Sequence, residues 1–278
     1  MLSETIISAE GRLHFRQYLK DLWIYRDLFY ALAERDIKVR YKQAVFGVLW
    51  AIIPPLVNSI IFYIIFTRVV QIPTQELPPI LFFLAAMIPW TCFSNGITQA
   101  TASLEGSSGL ISKVYFPRLI VPSAAIVTSI LDFSIGWVFF NFIAIGCGYW
   151  TISFIPFTII LLGLQLSITI GMGAILAALN AQYRDIRFVV PFLVQIGMWI
   201  TPVVWPMQRL LETRLGDSLK IFLYLNPMAG VIESYRALLA GDYIPYKLLT
   251  FNWIVAVGIL IGGFYFFKKR EQRIVDLL

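Results

Sequence analysis

The chain has 278 residues, of which 59% are hydrophobic and only 14% charged, with a formal net charge of +6 and a mean hydropathy of +0.77. A water-soluble domain carries roughly a quarter charged residues, so most of this chain must face a solvent other than water. The positive balance does not point to nucleic acid, because the cations gather beside the ends of apolar runs and not along one surface.

Ahead of the first apolar run, residues 1–43 hold Arg12, Arg16, Lys20, Arg26, Arg35, Lys38, Arg40 and Lys42. No uncharged core separates a basic start from a small-residue cleavage site, which argues against a secretory leader and predicts a cytoplasmic amino-terminal segment. Within it Leu22, Tyr25, Leu28, Phe29, Leu32 and Ala33 recur at three- and four-residue spacing, with Arg26 and Asp27 opposite. That spacing predicts an amphipathic helix lying on the cytoplasmic membrane surface.

A helix rises ~1.5 Å per residue and needs ~20 apolar residues to cross a bilayer. Six spans are expected, at about 44–67, 79–99, 119–147, 152–180, 188–205 and 248–267, in one all-α integral membrane domain over 44–267 with a tail at 268–278. The third and fourth turn at Gly146–Tyr149, inside a run whose only charge is Asp132. Continuous apolar runs, in place of alternation, select helices over barrel strands. Pro54, Pro55, Pro191 and Pro202 predict kinks. Sixteen of the 22 Lys and Arg fall in segments that lie on one side of such a bundle, which puts both termini in the cytoplasm. In the long outer loop, Asn226 suits a helix N-cap, Pro227 the first turn and Gly241 the stop. Val231, Ile232, Tyr235, Leu238 and Leu239 give the segment between them one apolar stripe, which fits a short amphipathic helix at the outer membrane face.

The chemistry is sparse. No GxxxxGK[ST] phosphate loop occurs, and Gly106–Lys113 lacks the glycine–lysine–hydroxyl ending, so ATP hydrolysis is not expected of this chain. The single histidine is His14, Cys92 and Cys147 lack metal-ligand spacing, and neither a catalytic set nor a metal site is expected. Asp132 is a functional-site candidate by virtue of its depth; the alternative is a structural hydrogen bond to Ser129, Ser134 or a neighbouring span. Trp50, Trp150 and Trp205 sit near span ends, as an interfacial belt requires. Trp90, Trp137 and Trp199 fall nearer mid-span and, with Phe62, Tyr63 and Phe66, either pack the bundle or line a path on which sugar faces slide. Glu105–Arg118 (EGSSGLISKVYFPR) reads as small flexible residues followed by an apolar-basic piece ended by Pro117, a structured inner loop.

Four motifs are more specific: RDIKVRYKQAVFGVLWAIIPPL (Arg35–Leu56), KVYFPR (Lys113–Arg118), NAQYRDIRFVVPF (Asn180–Phe192) and NPMAGVIESYR (Asn226–Arg236). In order and spacing, over roughly residues 20–268, the chain resembles the ABC-2 membrane subunits that export O-antigen, capsule or teichoic-acid polymers. The resemblance implies that residues 105–117, with Glu105, Leu110, Lys113, Tyr115, Phe116, Pro117 and Arg118, form a coupling helix docking into a separate nucleotide-binding subunit. It implies that Arg35, Lys38, Arg40 and Lys42 flank a cytoplasmic entrance for a lipid-diphosphate head, although an ordinary positive-inside flank explains the same charges. Asn226, Pro227, Glu233, Tyr235 and Arg236 would belong to an outer gate helix. It further implies a homodimer with two ATP-binding subunits in a bacterial inner membrane, with ATP and Mg bound by the partner and no cofactor on this chain. The substrate implied is an undecaprenyl-diphosphate-linked glycan. Gln182 departs from the pattern, where arginine is commoner. Rival readings are an ABC-2 exporter of small amphiphiles, a lipid-linked sugar transferase, for which only Asp185 and Glu105 offer carboxylates at a span mouth, and a secondary transporter.

Overall fold

A computed structural model of the chain describes residues 15–42, 44–71, 77–149, 154–208, 216–242 and 244–277. Trp150, His14, Arg209, Arg214 and the start of the fourth expected span lie outside the described residues. Helices α1 (Phe15–Ile24) and α2 (Arg26–Tyr41) come first. A 3-10 turn at Gly47–Ala51, α3 (Ile53–Phe62) and a π-helical end at Tyr63–Val69 then make one irregular apolar rod. Next come α4 (Pro79–Gly106), the single turn α5 (Ser108–Ile111), α6 (Ile120–Gly146), α7 (Phe154–Gln182) and α8 (Ile186–Ile200). Beyond them lie α9 (Gly216–Leu225), α10 (Pro227–Ala240) and α11 (Tyr246–Leu277).

Five rods among the described residues are long and apolar enough to cross a membrane: Gly47–Val69, Pro79–Gly106, Ile120–Gly146, Phe154–Gln182 and Tyr246–Glu271. They coincide with five of the six expected spans. The remaining one, expected over 188–205, stops at Ile200. Its 15 residues rise about 22 Å at ~1.5 Å each, short of a hydrocarbon core of ~30 Å. The cause is local. Pro202 disfavours the helical conformation in the residue before it, and Thr201 is extended at φ −79°, ψ 146°.

Helix α4 forms the axis of the bundle. Leu81 through Trp90 are all buried, with α3, α6, α7, α8 and α10 packed around α4. Helices α7 and α11 approach most closely. A Cβ on Gly263 would sit 2.3 Å from the Gly171 carbonyl oxygen, and one on Gly171 would sit 2.6 Å from that of Ile259. Backbones can touch there only because both residues lack a side chain.

The two ends of the bundle are distinct. At one, Tyr18, Leu32, Leu104, Ile111, Phe116 and Phe267 share a buried cluster, which gathers α1, α2, the far end of α4, the 111–119 turn and the end of α11. The first and last described helices also meet there, where the Tyr18 hydroxyl donates to Glu271 Oε1 at 3.5 Å. The expected cytoplasmic cations Arg35, Arg118 and Lys268 belong to the elements joined at this end, and Arg187 of α8 bonds Glu105 at the end of α4 there.

The amino-terminal region departs from the single surface helix expected over 22–33. Tyr25 breaks it at φ −88°, ψ 19°, and α2 continues to Tyr41 packed along α6.

Candidate functional site

The loop between α4 and α6 is short and tightly held. Helix α4 runs past the expected end at 99 to Gly106, bringing Glu105 to its tip. There Arg187 Nη1, at the foot of α8, donates to Glu105 Oε1 at 2.7 Å. Ser107 is buried and its hydroxyl accepts from Arg35 Nη2 of α2 at 3.4 Å. Across the loop, the Arg118 backbone N–H donates to Glu271 Oε1 at 2.8 Å, and Lys268 holds the other oxygen of that carboxylate at 2.8 Å. Residues 105–118 therefore touch α2, α8 and α11 directly. The lone acid in the basic KKREQR tail was the only signal in the sequence for Glu271.

The side chains attributed to a coupling helix divide into two groups. Lys113, Val114 and Tyr115 are exposed, the last at 63%, with Arg118 stacked on the Tyr115 ring at 5.0 Å. Phe116 is fully buried and Pro117 buried, while Leu110 packs half-buried against the inner cluster. Only Ser112–Tyr115 make a continuous exposed tip. The helix itself is one turn, α5.

The four cations expected at an entrance do not form one patch. Lys38 pairs with Glu34 on the exposed side of α2 at 2.6 Å, Arg35 bonds Asp36 and Ser107, and Lys42 is exposed at the end of α2. Arg40 points inward. Its Nη2 meets Asp132 Oδ2 at 2.5 Å, Tyr41 donates its hydroxyl to Asp132 Oδ1, and Arg40 Nη1 donates at 3.0 Å to the Gln99 oxygen when that amide is oriented to bond Ala125 as well. Asp132 lies twelve residues into α6, ~18 Å from its start. Its partners are thus on α2, and not the serines of its own helix. Ser129 and Ser134 spend their hydroxyls on the carbonyls of Ile126 and Ile130.

The aromatic rings form three separate groups. Phe62 and Phe66 face Trp199 at 6.1 and 6.5 Å, with Tyr63 held by Arg68 Nε at 2.8 Å. Trp137 stacks on Phe133 and Phe140 at 5.6 and 4.8 Å and meets Tyr235 of α10 at 4.6 Å. Trp90 is buried against Phe93 at 5.4 Å. Of the three tryptophans assigned to mid-span, Trp199 is the exposed one, at 50%.

The cap expected at Asn226 is formed. Its Oδ1 accepts from Met228 N at 3.2 Å while its Nδ2 donates to Thr201 Oγ1 at 2.8 Å, and Gly241 closes α10 at φ 69°. The helix is not an open surface element, however. Residues Pro227–Ile232 and Ser234–Arg236 are buried between α4, α7 and α11, with Gly230 giving clearance to Asn252. Arg236, 1% exposed, donates from Nη1 to Pro202 O at 2.6 Å, from Nη2 to Val203 O at 2.6 Å and from Nε to Phe82 O at 3.3 Å. Its counter-ion is Glu233 at 3.2 Å, whose Oε1 also accepts from Met207 N at 3.2 Å. Burial lowers the Arg236 guanidinium to about 10, so it remains charged at neutral pH. Burial also raises the Glu233 carboxyl, against the pull of Arg236.

The chain is similar to known proteins over most of its length. The family model described as ABC-2 type transporter matches residues 27–240. An O-antigen export system permease protein RfbA of Myxococcus xanthus is 28% identical over 261 residues, covering 93% of this chain and 98% of the relative. A permease of the same name from Klebsiella pneumoniae is 28% identical over 261 residues, 91% of this chain and 95% of its own. The polysialic acid transport protein KpsM of Escherichia coli is 20% identical over 247 residues, covering 88% and 94%.

Proposed function

This chain belongs to the ABC-2 type transporter family, and we propose that it is the membrane subunit of an ATP-driven exporter that moves a lipid-linked polysaccharide outward across a bacterial inner membrane. It is a multi-pass membrane protein whose similar proteins are named for export of O-antigen and transport of polysialic acid. The carrier is an undecaprenyl diphosphate. ATP and Mg are bound and used by a separate subunit.

One observation carries this reading. An exposed tip, Ser112–Tyr115, stands at the cation-bearing end of the bundle on a loop bonded to α2, α8 and α11. A force applied at that tip reaches three elements at once, as a docking point for a motor subunit must. The cation-bearing end is then cytoplasmic, with both termini there. Helix α8 with the turn that follows it makes the sixth crossing, since its foot bonds Glu105 and the turn at its far end bonds Arg236.

Two copies associate through the apolar faces of the 47–69 rod and α8. These faces are largely exposed here, with Val57, Ile61, Ile64, Phe192, Ile196 and Trp199 open, and they adjoin through Phe62 and Trp199. The glycan path runs along that seam, and α10 acts as the outer gate. Purification of the chain with its ATPase in lipid nanodiscs tests the reading. ATP turnover should rise on addition of the lipid-linked glycan, and an ATPase that neither co-purifies nor responds would remove the proposal.

A further inference from the structure

A cavity of about 350 Å³ opens between α2, the 3-10 turn, α4 and α6, lined by Arg40, Tyr41, Trp50, Thr91, Asn95 and Asp132. Its size lies in the range of small-molecule sites, ~300–1,000 Å³. Its chemistry is unusual for the middle of a helical bundle. Thr91 and Asn95 stand one turn apart on α4, both half-buried, and their side chains make no hydrogen bond among the described residues. Neighbouring hydroxyls such as Thr98 and Thr101 instead bond back to carbonyls of their own helix. Both side chains line the cavity, so whatever fills it can bond them.

What satisfies them is constrained by charge. The Arg40 cation is matched one to one by Asp132, so the cavity offers no spare positive charge to a phosphate. The Asp132 carboxylate accepts one bond on each oxygen, from Tyr41 and Arg40, and a carboxylate has about four acceptor sites. Trp50, 49% exposed, adds an open aromatic face. Acceptors on Asp132, both kinds of group on Asn95 and Thr91, and a ring to stack on together match a neutral polyhydroxyl ring. We propose that this cavity is a sugar subsite, which holds a neutral sugar ring of the exported lipid-linked glycan; it rests on the exporter reading above.

The test uses the full-length chain in nanodiscs, titrated with undecaprenyl diphosphate and with the same lipid carrying one N-acetylglucosamine, against phosphatidylglycerol as background. The sugar-bearing lipid should bind about tenfold tighter than the bare diphosphate. Thr91→Val with Asn95→Leu should abolish that difference while leaving the unfolding temperature unchanged or higher, because both changes remove unpaired polar groups. Trp50→Leu, at an exposed ring, provides a second variant and should weaken only the sugar-bearing lipid. Equal binding of the two diphosphates to the parent chain would overturn the subsite and leave the exporter reading standing. A preference that survives the variants would also overturn it. Neither diphosphate binding above background would remove the exporter reading with it.

Discussion

Arg236 reaches the carbonyl oxygen of Pro202 at 2.6 Å, and through it the broken end of α8 is fastened to a helix that the sequence alone sets outside the bundle. Four carbonyl oxygens converge on this guanidinium, those of Phe82, Pro202, Val203 and Trp205. The carbonyls of the turn after Ile200 have lost their helical donors, and Arg236 replaces them. The Phe82 ring lies under the same cation at 3.6 Å, so α4, α8 and α10 meet at one charge.

Arg236→Met should therefore be among the most damaging single changes in the chain. It strands Glu233 as a buried carboxylate and leaves the carbonyls without a donor, at a cost of about 3–5 kcal/mol. Thermal unfolding in detergent would register the loss, and Glu233→Gln added to Arg236→Met should recover part of it. A single variant as stable as the parent would show that the guanidinium is dispensable.

Neighbouring rings on the inner loop should behave oppositely. Phe116, fully buried, is part of the inner cluster, so Phe116→Ala should cost about 3–5 kcal/mol and lower the folded yield. Tyr115, 63% exposed, supports no core, so Tyr115→Ala should change stability by no more than about 0.5 kcal/mol. Its effect should appear in export and in capture of the ATPase. Intact coupling in Tyr115→Ala would count against the exposed tip as the docking point.

Composition and run length made most of the bundle legible, because a span announces itself by ~20 uncharged residues and five such runs became rods. The early end of the helix expected over 188–205 is equally physical. Hydropathy does not register that Pro202 drives Thr201 out of the helix. The capping residues Asn226 and Gly241 were readable because caps are local chemistry. That α10 is buried was not, since its polar side holds Ser234 and Arg236, and the carbonyls that accept from Arg236 lie on distant segments of the chain. The link between Asp132 and Arg40 spans 92 positions, and no periodicity connects them. Candidate residues were thus found singly, while the groups to which they belong needed the fold.

Glycines at the α7–α11 contact give a further prediction that the apolar pattern conceals. A methyl on Gly263 would fall on backbone atoms of Gly171, all within 2.8 Å, and backbone cannot rotate aside as a side chain can. Gly263→Ala should separate the two helices and cost about 1–3 kcal/mol. Gly258→Ala, on the same helix with open space around it, is the matched control and should be neutral or slightly stabilising. Equal unfolding temperatures for the two variants would contradict the close approach.

The Glu105–Arg187 pair separates force transmission from stability. Both side chains are more than a third exposed, at 37% and 40%, so solvent screening limits the pair to about 0.2–1 kcal/mol. Reversing one charge should leave the unfolding temperature almost unmoved. If the loop pulls on α8 through this contact, Glu105→Arg or Arg187→Glu should nevertheless reduce transport per ATP hydrolysed, by up to about fivefold, the population change that ~1 kcal/mol allows. The double reversal restores opposite charges at the same distance and should restore transport. Raised salt should weaken the parent in the same direction as the single reversals, since the Debye length shrinks from ~8 Å at physiological ionic strength to ~3 Å at 1 M. Proteoliposomes with the ATPase bound would report transport and hydrolysis together. Full transport in both single reversals would mean that the inner loop does not act through α8, with the Arg35–Ser107 and Arg118–Glu271 contacts left to carry the load to α2 and α11.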